Sequence, residues 1–256
     1  MNANLKPVAF LTDFDDTAAV QNVAEMLLEE FGESSWKDVR SRFRQGELTL
    51  KTYQELAFAE IRTHALEMGE YAYKHVDLRE GFKEVNQYCQ EKSIPIAVVS
   101  LGLDLYIKPV LEGNGYGDIP VHCVETFYEN GKLCYMYKNI KPGYEAEGNS
   151  KGLVVNSFKE KGYKVVYAGD GRSDFEAARE ADVIVAVTGA SQILVEARAV
   201  LGVVGGHGCR GRCLCCAPAR ASPGPPSRSL PLEERGERCR SHRSPPGRPL
   251  WAGRFC

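Results

Sequence analysis

Leu11-Thr12-Asp13-Phe14-Asp15-Asp16-Thr17 decides the reading of this chain. The apolar run Val8-Ala9-Phe10 before it reads as a buried strand of a parallel sheet, and after it the hydrophobic period becomes helical. Two carboxylates therefore stand two residues apart where a strand ends. Alternate side chains of an extended chain point the same way, so Asp13 and Asp15 share a side and Phe14 turns away. The carboxyl end of a strand is where open α/β sheets place their ligands. Taken alone, an acidic D-x-D-x-T run is also what a solvated loop looks like.

Three further pieces follow in order, each at a strand end or a helix start: Val98-Val99-Ser100-Leu101-Gly102, then Ser150-Lys151-Gly152, then Gly169-Asp170-Gly171-Arg172-Ser173-Asp174. As a series of four, over residues 7–187, they resemble the haloacid dehalogenase (HAD) superfamily of phosphotransferases. Within it the pattern looks most like the phosphoserine-phosphatase-like branch, whose cap is helical and lies between the first and second motifs.

The chemistry implied is phosphate-ester hydrolysis, a reaction that enzymes accelerate by up to ~10²¹-fold. Asp13 is the expected nucleophile, taking the phosphoryl group as an aspartyl-phosphate. Asp15 is the expected general acid and base. The resemblance implies that phosphatases and phosphomutases carry Asp at this second position, where dehalogenases and ATP-driven pumps carry something else. Asp16 stands where glycine is commoner in the family and reads as an exposed turn residue. Gly169 and Gly171 permit a tight turn around Asp170 and Asp174. Carboxylates crowded at ~4 Å repel by about 1–4 kcal/mol per pair, and a hard cation held by oxygen ligands removes that cost, which points to Mg²⁺. By resemblance the metal ligands are the Asp13 carboxylate, the Asp15 backbone carbonyl and Asp170, with Asp174 in support; Asp174 also reads as a helix N-cap. Ser100 and Gly102, by hydroxyl and open backbone, are expected to bind phosphate oxygens. Lys151 is expected to neutralise the phosphoryl charge and steady Asp13. It is one of 14 lysines in residues 1–200, so position alone selects it, and Lys141 is the second candidate. Arg172, inside the fourth motif, is a possible substrate contact.

Between the motifs the periodicity predicts helices from residue 21 to about 66: one with Val23, Met26, Leu27 and Phe31 on a single face, a second over 36–44 and a third over 49–66. Three short helices without strands suit a small cap spanning 18–77, with a core of 7–17 and 78–200; membership of the main core is the alternative. A helix starting at 77 and reaching 91 or 92, a strand over 96–99, a helix over 103–111 and a hairpin over 121–137 about Asn130-Gly131 come next. A helix over 152–162, a strand over 164–168, a short helix over 175–180 and a strand over 182–187 complete the pattern. The fold class is α/β: a Rossmann-like parallel sheet under a helical cap. His64, His75 and His122 are scattered, and Cys89, Cys123 and Cys134 lack metal spacing and read as reduced cysteines.

At 256 residues, with 43% hydrophobic and 26% charged content, the chain has the composition of a globular protein. No apolar run approaches the roughly 20 residues that span a bilayer, and Met1 to Pro7 lacks an apolar signal core, so a cytoplasmic protein is the expectation. The expected partner is a small phosphorylated metabolite, phosphoserine or a methionine-salvage phosphate, rather than nucleic acid or membrane; oligomeric state is unreadable. A phosphomutase is the alternative enzyme, and a non-catalytic or unstable product with an aberrant C-terminus the alternative of another class.

That last alternative comes from a division in the sequence. Residues 1–200 hold 22 basic and 31 acidic residues, a net of −9, whereas residues 201–256 hold ten Arg, no Lys and three Glu, a net of +7. Six of the nine cysteines and eight of the thirteen prolines fall in those last 56 residues. They contain no Lys, Asn, Asp, Ile, Met, Thr, Tyr or Gln, the skew of a GC-rich gene read out of frame. The stretch reads as a frame-shifted or mispredicted terminus, disordered by composition. Cys213-Leu214-Cys215-Cys216 with Cys209 and His207 is the zinc alternative, without a second pair at matching spacing. Sequencing the gene across codons 185–205 is expected to show a frame break; one continuous frame there removes the idea.

Overall fold

Strand β1 (Val8–Thr12) is buried at all five positions, because it lies between two parallel neighbours with helices over both faces. The computed structural model describes residues 7–187, and the positions before and after, including the Cys-rich tail, its zinc alternative and core residues 188–200, lie outside them. The other strands are β2 (Ile96–Leu103), β3 (Val121–Glu129), β4 (Lys132–Met136), β5 (Lys164–Gly169) and β6 (Val183–Ala186). They form one six-stranded sheet in the order β4-β3-β2-β1-β5-β6. All neighbours are parallel except β3 and β4. The β3–β4 hairpin turns at Asn130 and Gly131, with φ of 51° and 74°, the two positive values that a two-residue turn of this hand requires.

Side chains alternate across the sheet and feed two apolar cores. Phe10, Val98 and Val166 pack with Leu27, Met68 and Val110 on one face. Ala9, Leu11, Val99, Val165 and Tyr167 pack with Val154, Val155 and Phe158 on the other. The continuous apolar runs of β1 and β5 follow from this double coverage.

Between β1 and β2 stand α1 (Val23–Phe31), α2 (Trp36–Arg44), α3 (Leu50–Phe58), α4 (Ala65–His75) and α5 (Phe82–Glu91). The helix expected over 49–66 thus ends at Phe58, and α4 is a separate helix that the periodicity does not reveal. A turn carries the Ile61 N–H to the Phe58 carbonyl at 3.2 Å and delivers Ile61 to the same apolar core as α3, so the stripe runs on past the break. Nor does a helix begin at 77. Leu78 pairs with Ala19 in an isolated antiparallel bridge, and Gly81, at φ 87°, makes the turn from which α5 starts. The bridge brings the chain entering α1 and the chain leaving α4 side by side, with Val20 N–H on the Asp77 carbonyl at 2.9 Å and Arg79 N–H on the Ala18 carbonyl at 2.8 Å. The remaining helices are α6 (Asp104–Gly113), α7 (Lys151–Glu160) and α8 (Phe175–Glu180).

Helices α4 and α6 meet at Gly69. A Cβ there would come within 2.8 Å of both the Leu105 carbonyl oxygen and the Pro109 ring. Pro109 lies inside α6 and cannot donate a backbone hydrogen bond, and neither atom belongs to a flexible side chain. Gly69→Ala is expected to lower unfolding free energy by about 1–3 kcal/mol through overpacking, despite the roughly 1 kcal/mol that alanine gains in a helix; urea denaturation measures it.

Candidate active site

The loop after β1 is bent out of helical geometry. Asp15 takes an extended conformation and Asp16 a left-handed one, φ 57°, a region that favours glycine. Asp16 is half-buried rather than an exposed turn residue. Its carboxylate accepts a hydrogen bond from Asn22 Nδ2 at 2.8 Å, and its carbonyl accepts one from Arg79 Nη2 at 2.5 Å. Arg79 Nε also donates to the Thr17 carbonyl at 2.6 Å. A buried guanidinium thus clamps the loop from below, a role that no sequence motif signals.

Asp13 and Asp15 do face one cleft of about 1070 Å³. Its floor is Asp13, Asp15, Ser100, Gly102, Lys151 and Asp170, and the segment 43–58 supplies Phe43, Arg44, Leu48, Leu50, Tyr53 and Phe58 on the opposite wall. Asp13 is 4% exposed and Lys151 2%. Lys151 Nζ lies 2.7 Å from Asp13 Oδ2 and 2.7 Å from Asp174 Oδ1, and Asp13 Oδ1 accepts the Phe14 N–H at 2.7 Å. Lys141, the second candidate, is half exposed at the rim, 3.9 Å from Glu176. Position on α7 therefore brings Lys151, not Lys141, to Asp13.

Burial, with Asp174 and Asp15 nearby, pushes the Asp13 carboxyl up to about 7 against the pull of Lys151. Asp174 is also buried, yet Lys151 and its hydrogen bonds hold its carboxyl below the usual range. Both Asp174 oxygens are engaged: Oδ1 by Lys151 and by Tyr167 Oη at 2.6 Å, Oδ2 by the Asp170 and Gly171 N–H groups at 3.0 Å. Asp174 does stand at the N-cap position of α8, but its side chain makes no cap bond there and instead closes its own turn. A Cβ at Gly169 would fall 2.4 Å from Asp174 Cγ, which is why a glycine stands there. Carboxylate oxygens of Asp13, Asp170 and Asp174 all lie within 4.8 Å of one another, a set of hard oxygen donors suited to a divalent cation. Asp170, the exposed member, accepts Thr17 Oγ1 at 3.2 Å.

Asp15 is held at both ends. Oδ1 accepts the Val23 N–H at the start of α1, 2.7 Å, and Oδ2 accepts the phenol of Tyr106 at 2.9 Å. Burial pushes its carboxyl up to about 6, against those hydrogen bonds. Burial and the adjacent Asp15 raise the Tyr106 phenol well above its usual value, so it stays a donor. Ser100 Oγ accepts the Gly102 N–H at 3.0 Å, leaving its own proton directed elsewhere. Arg172 lines the cleft. His64 and His75 instead stack on Tyr128 and Tyr71, and His122 packs edge-on against Phe158. Cys89, Cys123 and Cys134 are free thiols. Tyr106 and Tyr167 escape the motifs because each lies beside one, on an apolar face where an aromatic reads as core.

The haloacid dehalogenase-like hydrolase family matches residues 10–179. A relative from Lysinibacillus sphaericus (strain C3-41), a 2-hydroxy-3-keto-5-methylthiopentenyl-1-phosphate phosphatase, is 28% identical over 71% of this chain and 82% of its own. Its counterpart in Bacillus cereus (strain G9842) is 26% identical over 68% and 80%. Among solved structures, a phospho-aspartyl intermediate analogue of phosphoserine phosphatase superposes with a TM-score of 0.56 at 23% identity, covering 75% of this chain and 90% of that one, a likeness of fold.

Removing the ammonium while keeping its stem, in Lys151→Met, leaves Asp13 and Asp174 buried without a counter-charge, at an expected cost of about 3–5 kcal/mol. Both carboxyls then titrate above the unfolded value of 3.8. The folded state takes up protons first as pH falls, so stability lost at pH 7 returns on acidification through that window. Urea denaturation of the variant at pH 7 and pH 5 reads both effects.

Proposed function

The chain belongs to the haloacid dehalogenase-like hydrolase family and is an enzyme, and from that premise we propose that it is a Mg²⁺-dependent phosphomonoesterase acting through an aspartyl-phosphate on Asp13. The observation that carries this reading is a buried Asp13 held by Lys151 at 2.7 Å, with Asp15 two residues on in the same cleft.

Ser100 and Gly102 receive the phosphate oxygens, and Lys151 offsets their charge beside Asp13. Asp13 Oδ2 bonds to phosphorus as the ester P–O bond breaks, and Asp15 gives its proton to the departing alkoxide. Asp15 then takes a proton from the water that attacks the aspartyl-phosphate, releasing inorganic phosphate and restoring Asp13. Asp13 and Asp170, with the Asp15 carbonyl, would hold Mg²⁺, while Asp174 fixes Asp170 and Lys151 in place. Bound there, the cation supplies neutralisation of the crowded carboxylates and the phosphoryl group.

We read residues 18–77 as the cap over this cleft, which admits a small ester and excludes polymers. Its wall sets Leu28, Phe43, Leu48, Leu50 and Phe58 among polar neighbours, and Glu25, the one acid that the cap contributes to the lining, is paired with Arg40. An ammonium-bearing ester such as phosphoserine lacks an uncommitted counter-charge on that wall. A methylthio-bearing phosphate like that named for the relatives fits better.

Phosphate release is expected from p-nitrophenyl phosphate and, faster, from 2-hydroxy-3-keto-5-methylthiopentenyl 1-phosphate, with phosphoserine slower than both. EDTA is expected to abolish it and Asp13→Asn to lower it at least ~10³-fold. Mg²⁺ at about 100 times its dissociation constant should add about 2.7 kcal/mol of stability to the wild type and much less to Asp170→Asn. A folded protein that releases no phosphate under any condition removes the reading.

A further inference from the structure

We infer that Tyr106 is a positioning residue for Asp15, and that Gly102 is a glycine because the pair needs its space. The inference rests on the phosphatase reading, in which Asp15 protonates the leaving group.

The geometry is specific. Tyr106 is fully buried in the first turns of α6, yet its phenol reaches the cleft floor to donate to Asp15 Oδ2 at 2.9 Å. The opposite oxygen is fixed by the Val23 N–H, so two donors from two different helices leave the carboxyl plane one orientation. A Cβ at position 102 would stand 2.1 Å from Tyr106 Oη and 2.8 Å from Asp15 Oδ2. Any side chain there pushes the two apart. Gly102 has no positive φ to explain it; close approach is what the position requires. The Tyr106 ring also lies beside Phe14, centroids 6.3 Å apart, so the hydroxyl is carried by a packed ring rather than a swinging one.

A general acid matters in proportion to how badly the leaving oxygen needs a proton. An alkyl phosphate expels a strongly basic alkoxide and needs Asp15 in place, whereas p-nitrophenyl phosphate expels a stabilised phenoxide and does not. A hydrogen bond that orients Asp15 therefore shows itself in the difference between the two esters. A purely structural hydroxyl would weaken both alike.

The test is kcat/KM of the wild type and Tyr106→Phe on an alkyl phosphate and on p-nitrophenyl phosphate, both with Mg²⁺. This ratio reports events up to loss of the leaving group. Tyr106→Phe is expected to lose roughly tenfold on the alkyl ester, the scale of a hydrogen bond to a charged group, and less than about twofold on the aryl ester. Gly102→Ala, which also crowds the phosphate position, is expected to lose activity on both esters but more on the alkyl ester, and combining it with Tyr106→Phe to widen the difference between the esters little, because both break one contact. Equal losses on both esters, or none on either, overturn the assignment while leaving the phosphatase reading intact. A folded wild type that hydrolyses neither ester overturns the phosphatase reading and this assignment with it. Should Tyr106→Phe unfold below the assay temperature, the ratio of the two esters in Gly102→Ala decides: a shift of that ratio against the alkyl ester supports the assignment, and a ratio unchanged from wild type overturns it.

Discussion

One ammonium between two carboxylates organises this molecule. Lys151 opens α7, Asp13 follows β1 and Asp174 follows β5, and the three meet away from water. Desolvating such groups costs several kcal/mol each, and their attraction recovers this only when the geometry is good and the remaining lone pairs are satisfied. Here they are satisfied. Phe14 and the turn after β5 supply donors to the carboxylate oxygens that Lys151 does not reach, and Tyr167 adds one to the Asp174 Oδ1 that it does. With both carboxyls ionised, the cluster carries one more negative charge than positive. An apolar core of the same volume would fold as well; what it could not do is hold a charged oxygen at the floor of the cleft.

The parallel sheet makes this meeting possible. Because β1 lies between β2 and β5, its carboxyl end is flanked by those of both neighbours. Residues 13, 100 and 170, far apart in sequence, become neighbours. Two glycines then set how closely the pieces approach, Gly169 beneath the Asp174 carboxyl and Gly102 beneath the Tyr106–Asp15 contact.

The strands and the four motifs were legible in the sequence because each rests on a local pattern: an apolar run, a turn dipeptide, a charge or hydroxyl at a strand end or helix start. What escaped depends on contacts that no local pattern encodes. The break between α3 and α4 is hidden because Ile61 keeps the apolar stripe going across a turn. Gly81 reads as an interior residue of a helix that in fact starts after it. Arg79 looks like one surface cation among many, yet it is 7% exposed and holds the carbonyls of residues 16 and 17. Tyr106 has the spacing of an ordinary core aromatic. Asp16 occupies a backbone region usually left to glycine, and its side-chain bond to Asn22 explains how an aspartate is kept there.

The bridge between Ala19 and Leu78 bears on how such a protein changes over evolutionary time. Entry and exit of the helical stretch are tied together at its base, so the core meets it as a closed loop with adjoining ends. The entropy of closing a loop grows only logarithmically with its length. The exposed turns of that loop can therefore change length with little penalty, whereas Leu27 of α1 and Met68 of α4 pack with Phe10 of the sheet and stay tied to it. The base of the stretch is thus held to the strands that carry Asp13 and Ser100, while its outer turns are free to vary at a different rate.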